Sequence, residues 1–165
     1  MLDNKTKKLL EKAGWYEGRK IDISETVTKL EKLGYDVFDA ARMFLEEYGE
    51  LNIKLAYSDE GKIYYDNHST EYEQLELSYR CHRNYDEKAG EKTIPVCNLF
   101  RDEFKVCISE SGKFFIDQGL YALDSDGFWK GQLGEFKGGF LSWVNYRAGK
   151  EFKLSGYKNK NYIVD

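Results

Sequence analysis

The sequence predicts one α+β domain, with helices at its N-terminus, a mainly antiparallel sheet after them, and further helices flanking that sheet. Two observations predict this class. Apolar residues recur at helical spacing up to Tyr48, and beyond Gly49 they alternate with polar residues, which is the period of a half-buried strand. The length of 165 residues suits one domain, and no repeat or flexible linker divides it. We therefore expect a core over about 5–148 and a tail over 149–165.

Three helices are predicted first, over residues 5–13, 24–33 and 36–48, with Asp36 as the cap of the third. Each is followed by a glycine that can end a helix: Gly14, Gly34 and Gly49. Asp22, followed three residues later by Glu25, resembles a capping box that would satisfy free backbone N–H groups at the start of the second helix. These signals support a helical N-terminal third.

The strands are predicted from alternation, over residues 51–56, 62–65, 93–99, 104–109, 114–117 and 119–123. Gly61 sits where the first hairpin needs a left-handed backbone. Pro95 cannot donate a backbone hydrogen bond, so its strand is expected at an edge or to begin at that proline. The later strands predict an antiparallel meander with one face in solvent.

Two more helices are predicted, one over about 70–85 and one over about 136–147. The tail after Gly149 is polar, but four of its residues could dock as a strand: Tyr157, Tyr162, Ile163 and Val164.

Composition excludes several functional classes. The net charge of −4 makes a nucleic-acid partner improbable, because binding phosphates needs a concentrated Lys/Arg surface. No apolar run approaches a membrane span, so no membrane partner is expected. Three cysteines do not make a disulfide framework, and no signal-peptide core precedes them, so we expect a cytoplasmic protein. Its acidic middle would suit a basic protein partner, although charge runs more often form a solvated face.

No catalytic or cofactor motif stands out. The chain has two histidines, and the adjacent Cys81 and His82 would point in different directions on a helix. Metal-ligand spacings, a nucleophile elbow and phosphate-binding glycine loops are all missing from the sequence. The acidic run at Asp124 lacks the interior pattern of a calcium loop. We therefore expect a protein that is not an enzyme and has no metal or cofactor.

Two cysteines lie in predicted strands. If the turn between them centres on Asp102, then Cys97 and Cys107 face each other across a hairpin and could form a disulfide. In the cytoplasm two free thiols are the better expectation.

Partner-binding candidates come from acidic turns and from aromatics beside them. Phe128 and Trp129 follow an acidic loop, which makes them the preferred exposed aromatics and candidate binding anchors. The complete set of predicted contact residues is Asp59, Glu60, Asp124, Asp126, Phe128 and Trp129.

An ordered series of short motifs resembles the third family of SUKH immunity proteins. The motifs are Ala13-Gly14-Trp15-Tyr16-x-Gly18-Arg19, Leu33-Gly34-Tyr35, Phe44-Leu45, Tyr48-Gly49 with Leu51, Ile94-Pro95-Val96, and Gly119-Leu120-Tyr121. They span roughly residues 9–147. Glu50 and Cys97 stand where that family commonly has glycine, and Leu120 also departs from its pattern.

This resemblance implies an α+β SUKH fold and a protein that neutralises a cognate secreted bacterial toxin, often a nuclease or a deaminase, by binding it. It implies no catalytic residues, and it leaves the toxin-facing surface unassigned. Two alternatives stay open at this point. One is a SUKH-like interaction module with a regulatory role and no toxin, and the other is a small hydrolase or ligand-binding protein using Cys81, His82 and nearby carboxylates.

Overall fold

A computed structural model describes residues 1–74, 79–101, 104–117, 119–134 and 161–165. The helices are α1 (Asn4–Lys12), α2 (Ser24–Lys32), α3 (Asp39–Tyr48), α4 (Tyr79–Ala89) and α5 (Ser125–Leu133), with a 3-10 turn at Tyr72–Gln74. The strands are β1 (Asn52–Asp59), β2 (Lys62–Ser69), β3 (Thr93–Leu99), β4 (Phe104–Ser109), β5 (Phe114–Ile116) and β6 (Gly119–Ala122). The predicted helix over 136–147 and the tail up to residue 160 lie outside the described residues.

The six strands form one sheet in the order β1-β2-β3-β4-β5-β6, and every neighbouring pair is antiparallel. The predicted α+β class is therefore confirmed. Glu60 and Gly61 both have positive φ, which makes the tight turn of the β1–β2 hairpin. The expectation that Pro95 marks an edge strand is wrong, since β3 lies between β2 and β4. Pro95 is nevertheless tolerated, because β2 pairs with β3 through Ser69 and Asn98 alone.

The hydrogen bonds at the helix starts differ in part from the predicted capping patterns. The Asp3 carboxylate caps α1 by accepting from the Thr6 N–H at 2.8 Å. At α2 the predicted capping box is wrong: Asp22 accepts from the Ser24 N–H at 2.9 Å, but Glu25 instead pairs with Lys29 at 2.7 Å.

Helix α3 begins at Asp39, three residues later than predicted, because Phe38 before it is extended. Asp36 does not cap it, and its carboxylate accepts from the Lys92 ammonium at 3.0 Å.

The core occupies both faces of the sheet, so the prediction of a meander with one solvated face is wrong. On one face, α1, α2, α3 and α5 enclose the main apolar cluster. On the other, α4 packs on β3 to β6, where Tyr85, Cys107 and Phe115 form a second cluster. The Asp86 carboxylate fixes α4 there by accepting from the Thr93 N–H at 2.8 Å. Strand β3 is consequently buried along its whole length.

The two strand cysteines do not pair. In the described structure Cys97 lies opposite Val106 and Cys107 opposite Pro95, with a bulge between Pro95 and Cys97. The turn therefore centres half a residue earlier than a Cys97–Cys107 pairing requires, and in a strand a one-residue change of register moves a side chain to the other face. Cys97 packs in the main cluster and Cys107 in the cluster under α4, and both thiols are free and buried.

The end of the chain returns to the sheet. Tyr162 pairs with Tyr57 of β1 as an isolated bridge, and the Ile163 N–H donates to the Ala56 carbonyl at 2.7 Å. This part of the tail therefore docks on β1, through an isolated bridge and not as the strand that was expected. The contact covers backbone groups that the outer edge of β1 would otherwise expose.

The turn from α3 into β1 depends on a close approach at Gly49. This residue has an ordinary φ of −65°, and its N–H donates to the Leu45 carbonyl at 2.8 Å. A Cβ atom there would lie only 2.4 Å from the Leu45 oxygen, so the helix end leaves room for glycine alone. The next residue, Glu50, has a φ of 57°, a left-handed backbone conformation that glycine would adopt with less strain.

We expect Gly49→Ala to lower the free energy of unfolding by about 1–3 kcal/mol, because the added methyl group overpacks a backbone carbonyl that cannot rotate away. Chemical denaturation measures the effect. Met43→Ala is the matched control, since Met43 is an exposed α3 residue and its truncation should change stability by less than about 0.5 kcal/mol. Equal stability of the two variants would contradict the proposed steric role of Gly49.

Candidate functional site

His68, whose side chain the structure describes, belongs to a buried hydrogen-bond network. His68 on β2 is fully buried, its Nδ1 accepts from the Phe100 N–H at 3.1 Å, and its Nε2 lies 2.8 Å from the Gln132 amide nitrogen. Gln132 in turn contacts the Tyr121 hydroxyl at 2.9 Å. This network joins β2, β6 and α5 inside the core. Within the described ranges, no three His, Cys, Asp or Glu residues are arranged to hold a metal ion. The side chains of Cys81 and His82 lie outside what the structure describes.

The predicted binding aromatics are not exposed. Phe128 and Trp129 each have 0% exposed area, so the expectation of exposed anchors is wrong. These residues belong to a helix and not to a polar loop, because the Asp124 carboxylate accepts from the Gly127 N–H at 2.6 Å and caps α5. The capped helix then lies against the sheet, and the Phe128 ring stacks on Phe114 with 4.8 Å between ring centroids.

The two acidic residues at the same end of α5 have local partners. Asp124 is exposed and caps the helix, and Asp126 is half-buried with its carboxylate against the N-terminal ammonium of Met1. These contacts explain both residues structurally. Their predicted role in partner binding stays a prediction.

Asp59 and Glu60 lie together at the tip of the β1–β2 hairpin, and both are exposed. Beside them, β2 presents Ile63 and Tyr65 with 57% and 66% of their areas exposed. Their cross-strand partners are Ser58 and Ala56, so the apolar side chains share the sheet face opposite the one that buries Ile53 and Leu55 of β1. We call Asp59, Glu60, Ile63 and Tyr65 the hairpin surface.

The apolar half of the hairpin surface was missed from sequence. The run Ile63-Tyr64-Tyr65 has apolar residues on both faces of the strand, so alternation could not assign an inner side. In the structure Tyr64 stacks on Tyr57 with ring centroids 5.5 Å apart, which defines the other two residues as outward-facing. Exposed aromatic and aliphatic residues with a polar rim are typical of protein interfaces.

A second surface feature is an open cleft of about 390 Å³ between α2, the α3–β1 turn and the chain after β2. We call it the acidic cleft, and it is lined by Asp22, Glu25, Thr26, Lys29, Glu50, Glu71, Tyr72 and Glu73. The acidic cleft was not predicted from the sequence, because its residues come from three separate segments. No local sequence pattern predicts that these three segments lie next to one another.

Contacts within the acidic cleft hold its walls in place. The Tyr72 N–H donates to Glu50 Oε1 at 3.1 Å, and the Asn52 amide donates to Glu71 at 3.0 Å. Lys29 lies with its ammonium 4.4 Å from the centre of the Tyr72 ring, a cation–π contact.

Hydrogen bonds shift the pKa values of three cleft side chains toward their charged forms. The hydrogen bond from Lys29 lowers the pKa of Glu25, and the same bond raises the pKa of Lys29. The Ser24 hydroxyl lowers the pKa of Asp22. Each of these shifts favours the ionised form of Asp22, Glu25 or Lys29.

Comparison with known families decides the classification. A family model described as SUKH-3 immunity protein matches residues 2–134, which includes α1 through α5. The chain belongs to the SUKH-3 immunity protein family. No curated protein and no solved structure matches it.

The match includes both the hairpin surface and the acidic cleft, so both features lie within the SUKH-3 domain itself. None of the helices in the described ranges is long and apolar enough to cross a membrane. Family membership supports an immunity function and a role in binding.

Proposed function

We propose that this SUKH-3 protein is a cytoplasmic immunity protein that neutralises a cognate bacterial toxin by binding it, without catalysis. The observation that carries this proposal is the hairpin surface, where apolar side chains project into solvent beside two carboxylates. Burying Ile63 and Tyr65 would provide an apolar centre for an interface, and Asp59 and Glu60 would form its acidic rim.

The partner we propose is a nuclease- or deaminase-type toxin. Such a toxin acts on nucleic acid, so its active-site region is expected to be basic. The acidic rim of the hairpin surface complements that charge, and the chain's net charge of −4 adds long-range attraction. Binding over the toxin's active site would exclude nucleic acid from it. Asp124 and Asp126 are a second proposed contact region, whereas Phe128 and Trp129 are too deeply buried to contact a partner in this fold.

The test is co-expression with the protein encoded by the adjacent reading frame. We expect cells that make that protein to survive only when the SUKH-3 protein is present, and we expect the two proteins to copurify. Rescue without copurification would contradict neutralisation by binding. Absence of rescue and of binding would favour an interaction module without a toxin.

We expect Tyr65→Ala to weaken toxin binding about tenfold, or about 1.4 kcal/mol, because an aromatic residue at an interface centre contributes more than its neighbours. Calorimetric titration of the purified pair measures the change. The melting temperature should stay the same, since Tyr65 makes little contact with the core.

Met43→Ala provides the matched control for the Tyr65 variant. Met43 is 70% exposed but lies on α3, outside the hairpin surface. We expect it to leave toxin affinity unchanged. Equal affinity of the Tyr65 and Met43 variants would remove the hairpin surface from the proposed interface and leave the acidic residues of α5 as the next region to test.

A further inference from the structure

Three hydrogen bonds tie the turn after β3 to β2. The Phe100 N–H donates to His68 Nδ1 at 3.1 Å, and the Arg101 N–H donates to the Asn67 carbonyl at 3.0 Å. The Arg101 guanidinium donates to the Tyr65 carbonyl at 3.3 Å. The ladder between β2 and β3 has one residue pair within the described residues, so these bonds form much of the connection between the two strands.

The same turn has an unfavourable backbone conformation. Phe100 and Arg101 have φ values of 53° and 54°, in the left-handed region that residues with a side chain rarely adopt. Such a conformation persists where the surrounding structure holds it. The hydrogen bonds to β2 hold it here, so the loss of one of them favours a different conformation of the turn.

The hydrogen bond from Phe100 determines the protonation state of His68. A backbone N–H can only donate, so Nδ1 carries a lone pair and no proton. A neutral imidazole then has its proton on Nε2, which lies 2.8 Å from the Gln132 amide. That amide must turn its oxygen toward Nε2 and its nitrogen toward the Tyr121 hydroxyl oxygen, because a ring that accepts at both nitrogens would be an anion. The buried ring is therefore held in one neutral tautomer.

Protonation of Nδ1 breaks the bond from Phe100 whatever charges surround the ring. The contacts of this network reach the Tyr121 and Tyr162 hydroxyls, the Asp66 carboxylate and the Arg101 guanidinium. From α5 and β1 the facing residues are Gln132 and Ile53, neither of which titrates. The negative charge of Asp66 favours a cationic ring, whereas burial and the positive charge of Arg101 oppose one. None of these groups lets a protonated Nδ1 accept a hydrogen bond.

We propose that neutral His68 is a latch that holds the Phe100–Arg101 turn on β2, and that protonation of its Nδ1 releases the turn. Tyr65 belongs to the hairpin surface, so the latch also supports the region assigned to partner binding; this consequence alone rests on the proposed function. A histidine in the unfolded chain takes up a proton at about pH 6.5, whereas the buried ring resists protonation. The latch therefore stabilises the folded state fully above that pH, and this stability is lost as pH falls below it.

The test is an NMR titration of the purified protein between pH 7 and pH 5, which follows the imidazole nitrogens and the backbone amides. At pH 7 we expect the His68 proton on Nε2 and none on Nδ1. As the pH falls, the Phe100 and Arg101 amide signals should shift together with protonation of His68. A proton on Nδ1 at pH 7 would overturn the proposal. So would a ring that becomes protonated without any change in the turn, or one that stays neutral until the whole protein unfolds.

Two substitutions separate the latch from packing alone. In His68→Asn the side-chain oxygen lies close to the position of Nδ1, so it can accept from the Phe100 N–H but takes up no proton. The pH-dependent shifts of the turn should disappear in this variant. Its unfolding equilibrium constant should rise less steeply in acid than that of the wild type, by up to about tenfold per pH unit below about pH 6.5.

His82→Asn is the matched control, since His82 is the other histidine of the chain. The shifts of the turn should remain in this variant. Equal pH dependence in the wild type and His68→Asn, or loss of the shifts in His82→Asn, would overturn the role of His68. The wild-type titration decides the proposal even where a core variant does not fold.

These measurements use no partner protein, so their failure would leave the proposed immunity function untouched. Conversely, loss of rescue in the co-expression test with a normal His68 titration would contradict the immunity function and leave the latch standing.

Discussion

Phe128→Ala is expected to lower the free energy of unfolding by about 3–5 kcal/mol, as large-to-small changes of a buried aromatic do. The Phe128 ring is fully buried and packs between helix α5 and the sheet. It stacks on Phe114 at 4.8 Å, meets Tyr121 edge-on at 5.4 Å, and lies 4.7 Å from the Trp129 ring, all between centroids. Truncation would leave a cavity in the middle of this aromatic group. Urea denaturation followed by circular dichroism measures the loss.

Asp126→Asn is the control on the same helix. It weakens a contact with the N-terminal ammonium near the surface, so it should cost less than about 1 kcal/mol. The comparison also tests whether the Phe128 ring belongs to the core or to the binding surface. A Phe128→Ala variant of normal stability that no longer binds its partner would show that the ring is an exposed contact after all.

Alkaline pH is expected to destabilise the protein strongly, beginning near pH 8.5. Burial raises the pKa of the Cys97 and Cys107 thiols well above the ordinary value. In the unfolded chain the thiols ionise near pH 8.5, so above that pH the folded state retains protons that the unfolded state has lost. The free energy of unfolding then falls as pH rises, by roughly 1.4 kcal/mol per pH unit for each thiol. Below pH 8.5 this contribution is fully present.

The measurement is the free energy of unfolding at a series of pH values from 7 to about 10.5, under reducing conditions. Single variants Cys97→Ala and Cys107→Ala should each reduce the slope by about half up to pH 10. Burial also raises the pKa of Tyr48, so the wild-type slope should steepen once the unfolded tyrosine begins to ionise near pH 10. Since absolute stability falls in any core variant, the slope is the quantity to compare. Unchanged slopes in both variants would contradict buried thiols.

Short-range patterns predicted the first three helices and the strands of this fold, but they placed α4 too early and missed α5. Helical spacing of apolar residues located α1, α2 and α3, and alternation located the strands. The hairpin turn at Glu60 and Gly61 followed from residue type, because glycine adopts a left-handed backbone at little cost. These features depend on a residue's own backbone preference and on neighbours a few positions away, both of which the sequence states directly.

The candidate site was predicted less well. Asp59 and Glu60 were placed correctly at an exposed turn, but Phe128 and Trp129 were assigned to the surface and lie in the core. An aromatic pair after an acidic loop has the same local sequence pattern whether it lies on the surface or in the core. Its burial is decided by the packing of α5 against the sheet, where Phe128 stacks on Phe114.

The sequence by itself determined the class, the order of the first three helices and the strands, the hairpin turn and the family resemblance that the SUKH-3 match confirms. It did not determine helix α5, whose first residues were expected to form a polar loop. Only the tertiary structure decided which face each strand buries, and the bulge before Cys97 separates the two thiols onto opposite faces. It also decided that α4 covers the second face of the sheet and that three distant segments form the acidic cleft. The physical reason is that register, helix packing and cleft formation depend on contacts between residues far apart in the chain, whereas periodicity and turn chemistry are local.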